Sequence, residues 1–216
     1  MKKLNGHKYI DLGLPSGTLW ATCNVGAEYP CETGFHFAWG EIETKRYFDG
    51  DNYKFSEKGW ALGSDEYDRY CIDDHSHEGC YDENGVFIGD GLSRLLPEDD
   101  VATVKWGSPW HIPTAKEFTE MLENCERKDG ECLHKGAWFT SKINGETIFL
   151  PSGGRIGIQI EHPGGLEEEG CWYWTSDLEN LMDYSWSQCL RGDLEFIDST
   201  LRYKGLLVRP VAKIIV

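Results

Sequence analysis

Three aromatic residues in a row, Trp172, Tyr173 and Trp174, place the strongest constraint on how this chain can fold. About thirty residues later comes an apolar stretch typical of a short buried strand, residues 206–211, and the segment between them is mostly polar. Trp and Tyr give a large contact area at a low entropic cost. The aromatic run is therefore interpreted either as part of the protein core or as part of a binding face.

The composition favours strands and loops over helix. The 216 residues include 25 glycines, 9 tryptophans, 10 tyrosines and 9 phenylalanines. Aromatic residues prefer strands and glycines prefer turns, so we expect many short strands joined by irregular loops. A chain of this length buries roughly 70% of its unfolded surface, which is enough for a core without disulfides. We expect a single domain over residues 1–216, with a long decorated loop region at about 41–96.

Two helices are predicted. The first covers residues 96–104, where Pro97 and three acidic residues suit a helix N-terminus. The second begins after Thr114, which has Glu117 three residues later, as in a capping box. The apolar residues of this second segment recur at helical spacing and are predicted to face the core: Phe118, Met121, Leu122 and Cys125.

Two hairpins are predicted from turn residues. Residues 9–20 contain two short apolar runs around a Pro/Gly turn. Residues 137–141 and 147–150 flank Asn144 and Gly145, a pair that favours a tight hairpin turn. A glycine-rich passage, residues 151–157, then leads into the aromatic run.

The charge limits the class of partner. The formal net charge is −16, and clustered Lys and Arg are missing, so we expect no nucleic-acid partner. No run of eighteen apolar residues is present, and no membrane insertion is expected. Lys2 and Lys3 are basic, but no apolar segment of a signal peptide follows them. We therefore expect an intracellular or phage-associated protein unless a leader was removed, with a cell-surface role and the oligomeric state left open.

The eight cysteines make up too small a share of the chain to demand a disulfide scaffold. Buried free thiols are expected, with one or two disulfides as the alternative. The best candidate for a metal site groups two thiols with two imidazoles: Cys71, His75, His77 and Cys80. Their spacing matches no known zinc pattern, so we expect a solvated loop and no cofactor, while bound calcium at an acidic loop stays open.

Seven blocks of sequence, in order along nearly the whole chain, carry a resemblance to a known family: residues 5–27, 37–41, 97–100, 106–114, 150–155, 173–176 and 208–211. They resemble the Fibrobacter succinogenes major paralogous domain family, which is common in gut bacteria of the Bacteroides group. That family is similar to formylglycine-generating enzymes and to the variable proteins of diversity-generating retroelements. The resemblance implies an α+β, C-type-lectin-like domain with two helices, short twisted antiparallel sheets, long loops and a ligand face near the C-terminal segment.

The resemblance does not fix the function, because this fold carries enzymes, sugar binders and protein binders. The related oxidases use a closely spaced pair of cysteines, whereas Cys171 and Cys189 lie eighteen positions apart. The triplets by which calcium-dependent lectins hold calcium and sugar are missing. We therefore expect a non-enzymatic binder of a protein or glycan. The alternatives are a metal-dependent oxidase or metal-binding protein of the formylglycine-generating type, and a structural surface module.

The candidate ligand face lies within residues 172–207, between two blocks interpreted as scaffold. Tyr173 and Trp174 are expected to support the face, and Arg209 is expected to hydrogen-bond backbone carbonyls. Adaptable recognition suits the mixture of polar and aromatic side chains in the segment. The residues predicted to bind the ligand are Asp177, Glu179, Asn180, Asp183, Tyr184, Trp186, Glu195, Asp198, Thr200, Arg202 and Tyr203.

Overall fold

The computed structural model describes residues 2–56, 69–73, 81–157, 166–179 and 186–214. Within these ranges the chain forms two α-helices, α1 (Val101–Trp106) and α2 (Ala115–Asn124), and one turn of 3-10 helix, Gly50–Asn52. The strands are β1 (Lys3–Leu4), β2 (His7–Asp11), β3 (Leu19–Ala21), β4 (Trp110–His111), β5 (Cys125–Glu131), β6 (Lys135–Ser141), β7 (Thr147–Pro151), β8 (Arg155–Ile156), β9 (Leu166–Glu168), β10 (Trp172–Leu178), β11 (Trp186–Arg191), β12 (Phe196–Leu201) and β13 (Val211–Ala212).

The strands form four small sheets. Their orders are β1-β2-β3-β13-β4, β5-β6-β7, β8-β9 and β10-β11-β12, and every paired neighbour runs antiparallel. The protein is therefore α+β and rich in antiparallel sheet, as the sequence predicted. None of the described residues belongs to a helix long and apolar enough to cross a membrane.

Helix α2 follows the prediction closely. The Thr114 side chain accepts the backbone N–H of Glu117, and the Glu117 carboxylate accepts the N–H of Thr114. This reciprocal cap fixes the start of the helix, and Phe118 and Met121 bury its apolar face. Cys125, predicted as the last apolar position of the helix, instead begins β5.

Helix α1 starts five residues later than predicted. The Asp100 carboxylate accepts the N–H groups of Ala102 and Thr103, so the first helical residue is Val101. Residues 97–99 form a turn before it. Proline and acids suit a helix start in general, but the side chain that reaches the first-turn donors decides where the helix begins.

Both predicted hairpins are confirmed. Strands β2 and β3 pair with Tyr9 opposite Ala21, and β6 and β7 pair with Thr140 opposite Thr147. Strand β5 was not predicted. It pairs with β6 over its full length, with Cys125 opposite Ser141.

The aromatic run lies in the core and divides it. Trp172 and Trp174 point into one hydrophobic cluster, which also contains Trp39, and Tyr173 points into a second cluster with Trp20. All three residues of the run are at most 2% exposed. Because successive side chains of a strand point to opposite faces, β10 forms a wall with a core on each side.

Arg209 behaves as predicted. Its guanidinium is fully buried and donates to the carbonyl oxygens of Ala21, Thr22 and Phe149 at 2.9–3.0 Å, and to the Asn24 side chain at 2.7 Å. These bonds connect the C-terminal segment to β3 and β7. Four hydrogen bonds satisfy most of the donors that a buried guanidinium carries.

The cysteines only partly match the expectation of free thiols. Cys31 and Cys132 form a disulfide between the loop after β3 and the β5–β6 turn, so the free-thiol prediction is wrong for this pair. Cys23, Cys125 and Cys171 are free. The described parts of the loop region 41–96 contain one turn of 3-10 helix and a few isolated bridges.

Candidate functional site

A cavity of about 460 Å³ opens beside the first residues of β10, and it is called the β10 cavity below. Four segments that are distant in sequence line it: the β5–β6 turn, the glycine-rich passage, the residues before β10, and the β11–β12 turn. The lining residues are His134, Lys135, Ser152, Gly153, Gly154, Glu169, Gly170 and Asp193.

Backbone hydrogen bonds fix the walls relative to one another. The Ser152 N–H donates to the Lys135 carbonyl at 2.7 Å, which joins the glycine-rich passage to the β5–β6 turn. The Gly154 N–H donates to the Gly170 carbonyl at 2.9 Å, which joins the same passage to the segment before β10. The cavity is thus formed by strand ends and tight turns that are held by the sheets.

Glycine is required at two points of the wall. A Cβ on Gly153 would lie 2.6 Å from the buried Leu207 side chain. Gly170 has φ +126, and a Cβ there would approach the Asp193 carboxylate to 3.1 Å. The glycine-rich passage noticed in the sequence therefore lets the backbone itself form part of the cavity surface.

The side chains around the cavity offer both donors and acceptors. Lys135 and His134 are exposed at one rim, and Glu169 is exposed at another. Asp193 is half-buried, and its carboxylate accepts hydrogen bonds from the Cys171 N–H at 3.3 Å and from the Arg191 guanidinium. This mixture, with backbone groups between, suits a ligand that carries many hydroxyl or amide groups.

The thiol nearest the cavity is not activated. The Cys171 sulfur lies 3.1 Å from the Ser152 hydroxyl and is buried. Burial raises the pKa of this thiol, the Ser152 hydrogen bond opposes the change, and the negative charge of Asp193 adds to it. A raised pKa keeps the sulfur protonated and a poor nucleophile.

Cys171 and Cys189 do not come together. Cys171 belongs to the core cluster that contains Tyr173, and Cys189 belongs to the cluster on the other face of the sheet. Cys189 lies opposite Trp174 in the β10–β11 register. The two sulfurs therefore do not form the paired-thiol site that the resemblance to oxidases required.

Three residues of the predicted ligand face are buried and do not lie at the surface of the described structure. Thr200 is 1% exposed and accepts a hydrogen bond from Arg155. Arg202 is fully buried and donates to the backbone carbonyls of residues 69 and 70. Tyr203 packs into the first core cluster.

Asp177 has a structural role. Its carboxylate accepts the N–H of Ala115, the first residue of α2, and pairs with Arg94 at 2.5 Å. Glu179 is half-buried. The remaining predicted residues of this stretch, Asn180, Asp183 and Tyr184, lie outside the described residues, as does the side chain of Trp186.

Two predicted residues remain accessible at the β11–β12 turn and on β12. Glu195 is exposed and has φ 59, and Asp198 is about one-third exposed. Between and beside them the structure exposes two apolar side chains that were not predicted, Leu194 at 56% and Phe196 at 41%. Among the described residues of the face, the most exposed lie at the tip of the β11–β12 hairpin, next to Asp193 of the β10 cavity.

Of the four candidate metal ligands, the structure describes Cys71 alone. Cys71 is buried, and its backbone N–H donates to Asp90 at 2.9 Å. His75, His77 and Cys80 lie outside the described residues. In the part of the chain that the structure describes, no group of three or more His, Cys, Asp or Glu side chains is placed to hold a metal ion.

Comparison with protein-family models, with curated proteins and with solved structures finds no match for this chain.

Proposed function

We propose that the protein is a non-enzymatic ligand-binding protein that takes a glycan, or a polar loop of a protein, at the β10 cavity and the adjoining β11–β12 tip. The observation that carries this proposal is the cavity itself, which is lined by backbone groups and by side chains of both charges. A glycan suits it best, because sugar hydroxyls donate and accept hydrogen bonds at once.

The exposed tip adds apolar contact. Leu194 and Phe196 lie just after Asp193 in the chain and are exposed. A ligand in the cavity would therefore be close enough to contact both side chains. An aromatic and an aliphatic side chain beside polar groups are typical of a binding surface. The Gly192 N–H donates to the Cys171 carbonyl at 2.9 Å, which joins the start of the tip to the residue before β10.

We further propose that the chain is a C-type-lectin-like member of the Fibrobacter succinogenes major paralogous domain family. The seven sequence blocks, the two helices and the antiparallel sheets support this proposal. If a retroelement diversifies the C-terminal segment, fewer positions are available for variation at the surface, because Thr200, Arg202 and Tyr203 are buried. The oxidase alternative is weakened by the separation of Cys171 and Cys189.

The test is a glycan-array screen followed by calorimetry on the best-bound glycan. A Lys135→Ala, Glu169→Ala double variant is expected to bind at least about tenfold more weakly, because two charge-assisted hydrogen bonds are removed. The matched control is Glu126→Ala, Lys128→Ala, which deletes the same charges from exposed positions on β5. Equal loss in both variants, or no glycan bound by the wild type, would contradict glycan binding at this cavity.

A further inference from the structure

A second cavity, of about 410 Å³, lies between the starts of the two helices, and it is called the helix-start cavity. It is distinct from the β10 cavity, since the two share no lining residue. Four basic side chains line it, in a chain whose net charge is −16: Arg94, His111, Lys116 and Lys213.

The carboxylates around this cavity are already engaged as acceptors. Asp100 accepts three backbone N–H groups and is 4% exposed. Glu117 accepts the N–H and the hydroxyl of Thr114, both at 2.9 Å, and faces the His111 imidazole at 3.3 Å. Asp177 binds the first N–H of α2. The bonding capacity of these acids is therefore largely taken up by the fold.

Several donors around the cavity, in contrast, are not used. The Lys116 ammonium makes no ion pair with any residue that the structure describes. Within the described residues, Arg94 donates through Nε only, to Asp177. Lys213 lies 3.4 Å from a single oxygen of Glu117. An ammonium carries three donors and a guanidinium five, so most of these donors have no partner within the described residues and face solvent at the cavity.

Ser176 supplies an independent sign of a ligand. It is 4% exposed and forms part of the cavity wall. Its backbone is fixed, since its N–H donates to Pro113 and its carbonyl accepts from Leu95. Its hydroxyl makes no hydrogen bond within the described chain. A buried hydroxyl without a partner costs stability, and such groups in native proteins call for an explanation.

His111 adds positive charge to the same surface. Its Nδ1 lies 3.0 Å from the Pro109 carbonyl and its Nε2 lies 3.3 Å from Glu117. Because both ring nitrogens face acceptors, the imidazole is best satisfied when both carry protons. Burial lowers the pKa of His111, but the hydrogen bond and the charge of Glu117 outweigh burial and raise it.

We propose that the helix-start cavity binds a small oxyanion, a carboxylate or a phosphate monoester, between Lys116, Arg94 and the Ser176 hydroxyl. The charged oxygens of such a ligand are hydrogen-bond acceptors, which are what these donors lack. The local excess of positive side chains attracts it despite the negative charge of the whole chain.

The experiment titrates the full chain with inorganic phosphate and, separately, with succinate, at constant ionic strength, and follows backbone amide shifts by NMR. Saturable shifts are expected at residues 94–95, 114–117 and 176. Lys116→Ala and Ser176→Ala are each expected to weaken binding about tenfold or more, since each removes one hydrogen bond to a charged ligand. Ser176→Ala breaks no hydrogen bond of the described fold, so it is expected to fold normally.

The matched control is Lys105→Ala, which removes the same charge from α1 at a residue that pairs with Glu43 and does not line the cavity. It is expected to bind as the wild type does. Tighter binding of phosphate identifies a phosphate monoester as the ligand class, and tighter binding of succinate identifies a carboxylate. Absence of saturable binding of either probe, equal weakening by Lys105→Ala and Lys116→Ala, or a Ser176→Ala variant with wild-type affinity would each overturn the proposal.

Discussion

Glu117 lies in an environment unlike that of an ordinary surface carboxylate. It caps α2 through Thr114 and faces His111, and its side chain is 6% exposed. Burial alone would raise the pKa of Glu117, but the hydrogen bond and charge of His111 and the bonds from Thr114 outweigh it and lower the pKa to about 2. The ionised form is therefore much favoured in the folded state.

The pH dependence of stability follows from this shift. The pKa of Glu117 is lowered on folding, so the Glu117 carboxylate stabilises the folded state above about pH 4.5. This stabilisation, about 3 kcal/mol in the free energy of unfolding, is lost as the pH falls towards 2. The pKa of His111 is raised, so its contribution is present below 6.5 and is lost as the pH rises through its folded value. The pair stabilises the fold most between about pH 4.5 and 6.5.

Urea unfolding measured from pH 2 to 7 tests this prediction. Glu117→Gln is expected to be less stable than the wild type at pH 5 and to lose less stability on acidification. Glu123→Gln, at an exposed position of the same helix, serves as the control and should retain the wild-type slope. An unchanged acid slope in Glu117→Gln would mean that other carboxylates dominate acid unfolding.

At the scale of elements, the correct predictions are of features that depend on neighbouring residues. The capping box of α2 and the Asn-Gly turn between β6 and β7 depend on a few neighbouring residues and were predicted correctly. Strand β5 was missed, because five of its seven residues are charged and alternation of apolar side chains is absent. Its pairing with β6 and the bond from Arg127 to the Gly192 carbonyl are non-local contacts.

The β5–β6 hairpin also carries the disulfide, which closes a loop of about a hundred residues. Replacing both Cys31 and Cys132 by Ala is expected to lower the free energy of unfolding by about 2–4 kcal/mol, because the unfolded chain regains the entropy of that loop. The same variant is expected to bind the glycan ligand more weakly, since His134 and Lys135 follow Cys132 closely along the chain.

Denaturant unfolding of the oxidised protein, with Cys23→Ala as the control, measures this effect. Cys23 is a half-buried free thiol, so its loss removes a sulfur without opening a cross-link. If the double variant proved as stable as this control, the disulfide would contribute nothing to the fold.

At the scale of the whole molecule, the structure departs from the sequence-based expectation in how deeply it buries part of the predicted ligand face. Arg202 and Arg209 are both polar in the sequence and both fully buried. The sequence block that contains Arg209 resembles one that recurs in a known family and so indicates a scaffold role, whereas Arg202 lies in a polar stretch outside such a block. What buries Arg202 is its bonding to the backbone of residues 69 and 70, more than a hundred positions away. The β10 cavity was missed for the same reason, since its walls meet only after folding.

Arg209 connects distant parts of the chain, and its replacement tests how much the whole fold depends on it. Arg209→Lys keeps the charge but cannot reach three carbonyls and the Asn24 side chain at once. We expect a loss of at least about 3 kcal/mol, because the ammonium and several acceptors remain buried without partners. The measurement is thermal unfolding of Arg209→Lys. The control is Arg46→Lys, the same substitution at an exposed position. Equal melting temperatures would contradict a connecting role.

Strand β13 lies between β3 and β4 in the five-stranded sheet, with Val211 opposite Trp20 on one side and His111 on the other. During synthesis the first strands of this sheet leave the ribosome long before the strand that fills its centre. The sheet closes only when β13 emerges, so the edge of β3 stays unpaired while about 190 further residues are made. Long-range pairing of this kind slows folding and leaves strand edges open to aggregation until the central strand is in place.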